Sequence, residues 1–176
     1  MSRNRAALEA ASLIAANTLA ATSPLAVAAR RPRVGIGAIL LDASRPGRTV
    51  AGARLGAHGA GRWALPGGHL EFGQSWGECA SMEVAEECGV AVPPGAWHVV
   101  GVTNDVMAAE DLHYVTVFVA ARVGAAALAA LENKEPDKCA GWAWVTWEEL
   151  ADKPIFLPLK NFLDGGGAAR AAALAE

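Results

Sequence analysis

Apolar runs and alternations divide the chain from Val34 onward into short strands and a few helices. Val34 to Leu41 (VGIGAILL) is a continuous apolar run with β-branched members, the pattern of a buried strand. Ser44 to Gly47 reads as a turn, and Thr49 to Leu55 as a returning strand. A glycine-rich loop follows from Gly56 to Gly61. Trp63 to Leu70 contains Pro66-Gly67-Gly68, which excludes regular helix and predicts a tight connection between short strands. Further along, Trp97 to Val102, His113 to Val123 and Trp142 to Val145 read as strands, and Val90 to Pro94 as a turn. Ala125 to Leu131 is a short Ala/Leu helix, Trp147 to Leu150 starts a helical turn, and Phe156 to Leu163 predicts a last helix. Beyond Gly165 the chain is rich in Gly and Ala, so residues 165–176 are expected to be a frayed, flexible tail. There is no internal repeat and no sign of a second domain. A mixed sheet flanked by helices, an α/β (α+β) architecture, is expected over residues 32–164.

The clearest helix is Ser75 to Cys88. Ser75 is suited to the N-cap, Glu78 three residues on completes a capping box, and Gly89 is a natural stop. Within it, Glu83, Glu86 and Glu87 stand at i, i+3 and i+4, so helical geometry gathers three carboxylates on one face. Like charges at that spacing repel by roughly a few tenths of a kcal/mol per pair. They also occupy the half of the helix where its dipole disfavours anions. A solvated acidic face is the ordinary explanation of such a run. A divalent cation is the functional one, since hard oxygen ligands suit Mg²⁺ or Mn²⁺.

Composition narrows the alternatives. A chain of 176 residues suits one domain with a real core, and a net charge of −3 gives no basic surface for nucleic acid. Cys79, Cys88 and Cys139 form no CxxC or Cys/His pairing, which points to reduced, structural thiols. His58, His69, His98 and His113 lack metal-ligand spacing, although His69 lies beside the glycines that precede the helix. No apolar run reaches the ~18 residues needed to span a bilayer. There is no GxSxG and no P-loop. Residues 1–31 differ in kind, being Ala-rich with Arg3, Arg5, Arg30 and Arg31 and the single acid Glu9. They read either as an organelle transit peptide, mitochondrial or chloroplast, or as a disordered extension of a cytoplasmic protein.

The glycines and the acidic helix together resemble the Nudix signature, in which a Gly is followed after five residues by Glu. After seven more residues comes Arg-Glu-apolar-any-Glu-Glu-any-Gly-apolar. Gly68 opens it here, and Glu83, Glu86, Glu87, Gly89 and Val90 fall at the required positions. Two positions depart: the first Glu is Gln74 and the Arg is Met82. Gln74 keeps a carbonyl oxygen but has no charge, and Met82 cannot form an ionic pair. Glu71, three residues before Gln74, is a candidate to compensate. The stretches GGHLEFG, His113-Tyr114-Val115-Thr116, Glu135 to Cys139 and WAWVTWEEL are further similar to one subgroup. That subgroup, the nucleoside triphosphate diphosphatases, includes vertebrate thiopurine-nucleotide diphosphatases and plant cytosolic Nudix pyrophosphohydrolases.

The resemblance implies an α/β/α sandwich with a mixed sheet, and a Mg²⁺-dependent hydrolase (Mn²⁺ as substitute). Such an enzyme converts nucleoside triphosphates, including oxidised purine nucleotides such as 8-oxo-dGTP, to monophosphate and pyrophosphate. It implies metal ligation by the Gly68 carbonyl, Glu83 and Glu87, with Glu86 assisting and all three Glu in catalysis. Arg54 would meet phosphate, beside an Ala53 where a Lys is usual, and Gly67 would allow close approach of the substrate. Leu65, Thr116, Phe156 and Leu159 match positions near the base pocket, although core packing explains Leu65, Phe156 and Leu159 equally well. A homodimer is also implied. NADH or dihydroneopterin triphosphate is the alternative substrate. A nucleotide-binding protein with little turnover is the alternative function, given Gln74 and Met82.

Overall fold

In the computed structural model the described residues are 31–56 and 58–174. The N-terminal extension or transit peptide expected over residues 1–31 therefore lies, apart from Arg31, outside the described residues. Among the described residues, six strands and five α-helices follow in the order β1 (Arg33–Asp42), β2 (Arg48–Arg54), β3 (Trp63–Ala64), α1 (Trp76–Cys88), β4 (His98–Met107), β5 (Leu112–Val123), α2 (Ala125–Ala130), β6 (Cys139–Thr146), α3 (Trp147–Ala151), α4 (Leu157–Asp164) and α5 (Gly167–Ala172). One sheet has the order β1-β5-β4 and is mixed: β1 runs parallel to β5, and β4 antiparallel to it. The other, β3-β2-β6, is antiparallel.

Strand alternation explains how the central sheet is covered on both faces. Ile36, Ala38 and Leu40 of β1, with Val117, Val119 and Ala121 of β5, pack against Cys79, Ala80, Val84 and Cys88 of α1. The intervening residues Ile39 and Leu41, with Phe118 and Ala120, pack against Leu150, Leu159, Phe162 and Ala171 of α3, α4 and α5. The result is the expected α/β/α layering. α1 is bounded as its sequence predicts. The Ser75 and Glu78 side chains form a reciprocal capping box, and Gly89 closes the helix at φ 69°, a left-handed conformation in which glycine carries no Cβ penalty.

Two elements depart most from the sequence-based expectation. β4 runs on to Met107 instead of stopping at Val102, because Thr103 and Asp105 turn inward and hydrogen-bond there. A polar inward pair gives no apolar alternation to read. The tail past Gly165 does not simply fray: Gly167–Ala172 is helical and Ala171 is fully buried. Arg170 anchors it, donating from Nε to the Val100 carbonyl (2.8 Å) and from Nη1 to the Gly165 carbonyl (2.6 Å). Packing against β4 overrides the weak helical tendency of a Gly-rich segment.

Candidate active site

The glycine segment is tied to β1 before the chain enters α1. Ala38 N–H donates to the Pro66 carbonyl (2.8 Å), Ile36 N–H to the Gly68 carbonyl (2.9 Å), and Leu70 N–H to the Val34 carbonyl (3.1 Å). The approach is close enough to require both glycines. Gly67 has φ 150°, and a Cβ there would run into the Ile36 carbonyl; a Cβ at Gly68 would overlap the Glu83 carboxylate. Gly67 is therefore occupied with the protein itself, its N–H donating to Glu87 Oε2 at 2.9 Å. It lines the site, but its amide holds a carboxylate rather than a substrate.

This segment, α1 and the strands enclose a cavity of about 510 Å³, inside the ~300–1,000 Å³ range of small-molecule sites. Its wall includes Glu83 and Glu87 of α1, with Glu71, Glu135, Lys138 and Arg54. Leu65, Thr116, Phe156 and Leu159 line the same cavity. Leu65 and Leu159 are also core residues, 7% and 2% exposed, so both of their readings describe the same side chains. Glu86 is not brought in. It is exposed and absent from the wall, because only Glu83 and Glu87, one turn apart, face inward.

Burial makes the two inward carboxylates poor acids. Glu87 is pushed up from its ordinary 4.5 to about 7, first by burial and then by repulsion from Glu83 and Glu135. The Gly67 N–H and the Arg54 charge act in the opposite direction. Glu83 is raised as well, by burial and by Glu86 beside it, with Lys138 opposing. The carboxylate end of α1 is nonetheless accommodated. Its last carbonyls accept bonds from outside the helix, Glu87 O from Trp142 Nε1 (3.0 Å) and Lys134 N–H (3.1 Å), and Cys88 O from Glu132 N–H (2.9 Å).

The donor set fits a hard divalent cation. Two largely buried carboxylates lie against the glycine pair, Glu83 where a Gly68 Cβ would be and Glu87 on the Gly67 N–H, and the Gly68 carbonyl keeps a lone pair after accepting from Ile36. Neither carboxylate has an ion-pair partner among the described residues. Nor do three His, Cys, Asp or Glu side chains among those residues converge into a complete cage. A partial oxygen site is what Mg²⁺ prefers, since it retains waters and takes substrate oxygens.

Several wall residues carry no individual signal in the sequence. Lys138 is paired with Glu135 at 2.7 Å; their stretch carries the subgroup resemblance, but neither residue is singled out for a role by it. His58 packs edge-on to Phe156 (5.1 Å between ring centres), and Arg54 lies over that ring at 4.8 Å while donating from Nε to the His58 carbonyl (3.0 Å). His69 Nε2 and the Tyr114 hydroxyl are 2.8 Å apart. These partners come from separate loops and strands, so only the fold assembles them. Trp142 and Trp144 pack against the core, and Trp142 also reaches the cavity.

Residues 31–165 match the family model described as NUDIX domain. A Mycobacterium tuberculosis protein named "Putative 8-oxo-dGTP diphosphatase 3" is 32% identical over 127 residues, 70% of this chain. The chain spans only 57% of that relative's length. Among solved structures, a MutT NUDIX hydrolase from Burkholderia pseudomallei aligns with TM-score 0.65 and 25% identity, over 80% of this chain and 98% of the other. The NUDIX domain of Shewanella oneidensis NrtR, complexed with ADP ribose, aligns with TM-score 0.64 over 88% and 96% of the two chains. At 17% identity that second likeness concerns the fold alone.

Proposed function

The chain belongs to the Nudix hydrolase family, and from that premise we propose that it is a Mg²⁺-dependent nucleoside triphosphate hydrolase releasing a monophosphate and pyrophosphate. Oxidised purine nucleotides such as 8-oxo-dGTP are the first substrates to consider, as the name of the mycobacterial relative suggests. The observation that carries this reading is the pair Glu83 and Glu87. Both are desolvated, both face the cavity, and both are held against glycines that admit nothing larger. Mg²⁺ held by Glu83, Glu87 and the Gly68 carbonyl would neutralise phosphate charge and favour attack by water at phosphorus.

The chain's own residues divide the remaining work. Glu87, accepting from Gly67, is fixed in position. Its acidity near 7 is that of the metal-free side chain, and one of the three glutamates, free of the metal, would take the proton from the attacking water. Arg54 supplies positive charge to the polyphosphate, and Lys138 is a second cation on the same wall. Leu65, Phe156 and Leu159 give a base an apolar surface. The homodimer implied by the resemblance has a candidate face on edge strand β4, where Val102 and Val106 are exposed.

The test is hydrolysis of a panel of nucleoside triphosphates, 8-oxo-dGTP, dihydroneopterin triphosphate and NADH with Mg²⁺ or Mn²⁺, read as pyrophosphate released from the triphosphates and as AMP formed from NADH. Hydrolysis of none of them would sink the proposal. It would leave the reading in which Gln74 and Met82 mark a binding protein of little turnover.

A further inference from the structure

A buried polar cluster adjoins the cavity and has no part in the metal chemistry. Asp105 of β4 is fully buried. Its Oδ2 accepts from the hydroxyls of Thr103 (2.8 Å) and Thr116 (2.6 Å), and its Oδ1 from Asn161 Nδ2 (2.8 Å). β4, β5 and α4 each contribute, so the cluster ties α4 to the sheet. The first turn of α4 carries Leu159, which lines the cavity.

The cluster has a consequence for recognition. A threonine hydroxyl owns one proton and ordinarily rotates to donate or accept as its partner requires. A carboxylate only accepts. With its proton committed to Asp105, Thr116 retains nothing but lone pairs for any other neighbour. Thr116 lines the cavity, and across the β1–β5 register it faces Gly35, also on the wall. A Cβ placed on Gly35 would come within 3.7 Å of Thr116 Oγ1, so this oxygen lies at the edge of the space that glycine leaves open.

We propose that Asp105 is a positioning residue that holds Thr116 as an obligate hydrogen-bond acceptor. The cavity then selects a nucleotide base presenting an N–H donor, amino or ring imino, to Thr116. This deepens the nucleotide reading above and rests on it. A base with only ring-nitrogen acceptors at that edge would set lone pair against lone pair and leave Thr116 unsatisfied, a penalty larger than one missing bond.

The experiment measures the affinity of the full chain for four nucleoside monophosphates with Mg²⁺, where no anhydride exists to be cleaved. GMP carries a ring N–H and an amino group, IMP a ring N–H alone, AMP an amino group alone, and purine riboside monophosphate neither. The last is expected to bind roughly five-fold or more weaker than the best of the other three. Thr116→Val should bring that ratio to about one, and Thr116→Ser, which keeps the hydroxyl, should preserve it. Asp105→Asn should also collapse the ratio, because its amide donates to one hydroxyl and frees a proton toward the cavity. The Ser and Val pair decides the question even if that variant fails to fold. An ungraded wild type, a Thr116→Val protein that keeps the ratio, or no binding of any probe overturns the inference. Graded affinities without triphosphate hydrolysis would instead remove the proposed activity alone.

Discussion

Gln74 Nε2 lies 3.5 Å from Met82 Sδ, so the two residues at which the signature departs from its pattern meet each other. A thioether is a weak acceptor, and the contact is a neutral substitute for the charge-assisted pair that Glu and Arg would make at the same places. Gln74 is further held by accepting from the Glu71 N–H (3.0 Å). The paired change Gln74→Glu with Met82→Arg should therefore be better tolerated than either change alone. The coupling expected in a double-mutant cycle is about 0.5–3 kcal/mol, read by denaturant unfolding. Gln74 is not on the cavity wall but Met82 is, and neither is placed as a metal ligand, so kcat/KM of the double variant should stay within about ten-fold of the parent, the lower end of an outer-shell effect. A rise of several hundred-fold from near zero would show the natural site to be degenerate.

Glu87 predicts a dependence of stability on pH in the metal-free protein. Its folded-state acidity, near 7, lies above its ordinary value of 4.5, so the protonated side chain is the one the fold favours. The contribution is fully present below about 4.5 and is lost as pH rises through about 7. In chelator, unfolding free energy should fall across that window by on the order of 1–3 kcal/mol relative to Glu87→Gln, which cannot ionise. Mg²⁺ binding should release protons over the same range and remove the decline. Equal pH slopes for the parent and Glu87→Gln would refute the assignment.

How far the site can be read from the sequence depends on whether a feature is local. The capping box of Ser75 and Glu78, the left-handed Gly89 and the pairing of Glu83 with Glu87 are local facts of helical geometry, and the structure shows each element where the spacing puts it. Glu86 shows the limit of such spacing. Residues three apart neighbour one another along a helix, but which of them faces inward depends on what packs against the helix. Glu135 and Lys138 enter the wall from a loop far along the chain, where nothing periodic marks them. Thr103 and Asp105 interrupt an apolar strand pattern because they bond each other and Asp105 takes a further partner, Asn161, 56 residues on. The helix at Gly167–Ala172 is missed for the same reason, since its anchor at Val100 is 70 residues away from Arg170.

The adjacent glycines 67 and 68 should separate the fold from the site. Gly68→Ala places a methyl group on the Glu83 carboxylate, a side chain that can move. The protein should fold, with metal affinity down by ~10–100-fold, measured by calorimetric Mg²⁺ or Mn²⁺ titration. Gly67→Ala meets the fixed Ile36 carbonyl at φ 150° and has no side chain to displace. Its loss should be in stability, about 1–3 kcal/mol or more. Reversal of the two phenotypes would contradict the packing described here.

Arg54 joins the two functions of the cavity, and its variants should reveal both. Its guanidinium lies 4.8 Å from the Phe156 ring centre, its Nε donates to the His58 carbonyl, and its charge favours ionised Glu87. Arg54→Lys keeps the charge and loses the flat surface and the forked donor geometry. Arg54→Ala loses all three. In Arg54→Ala, loss of the cation leaves burial and the Glu83 and Glu135 charges less opposed, so the fall in stability of the metal-free protein should move to higher pH. In Arg54→Lys that fall should stay near the parent's position. Both variants should raise KM, because Phe156 and His58 lose the group that holds them against the cavity, by roughly the several-fold value of one cation–π contact. Denaturant unfolding in chelator across pH 5 to 9 checks the first, and steady-state kinetics on any accepted triphosphate the second. An unmoved fall in Arg54→Ala would mean that this charge does not act on Glu87. An unchanged KM in both variants would mean that the ring surface is held by other contacts.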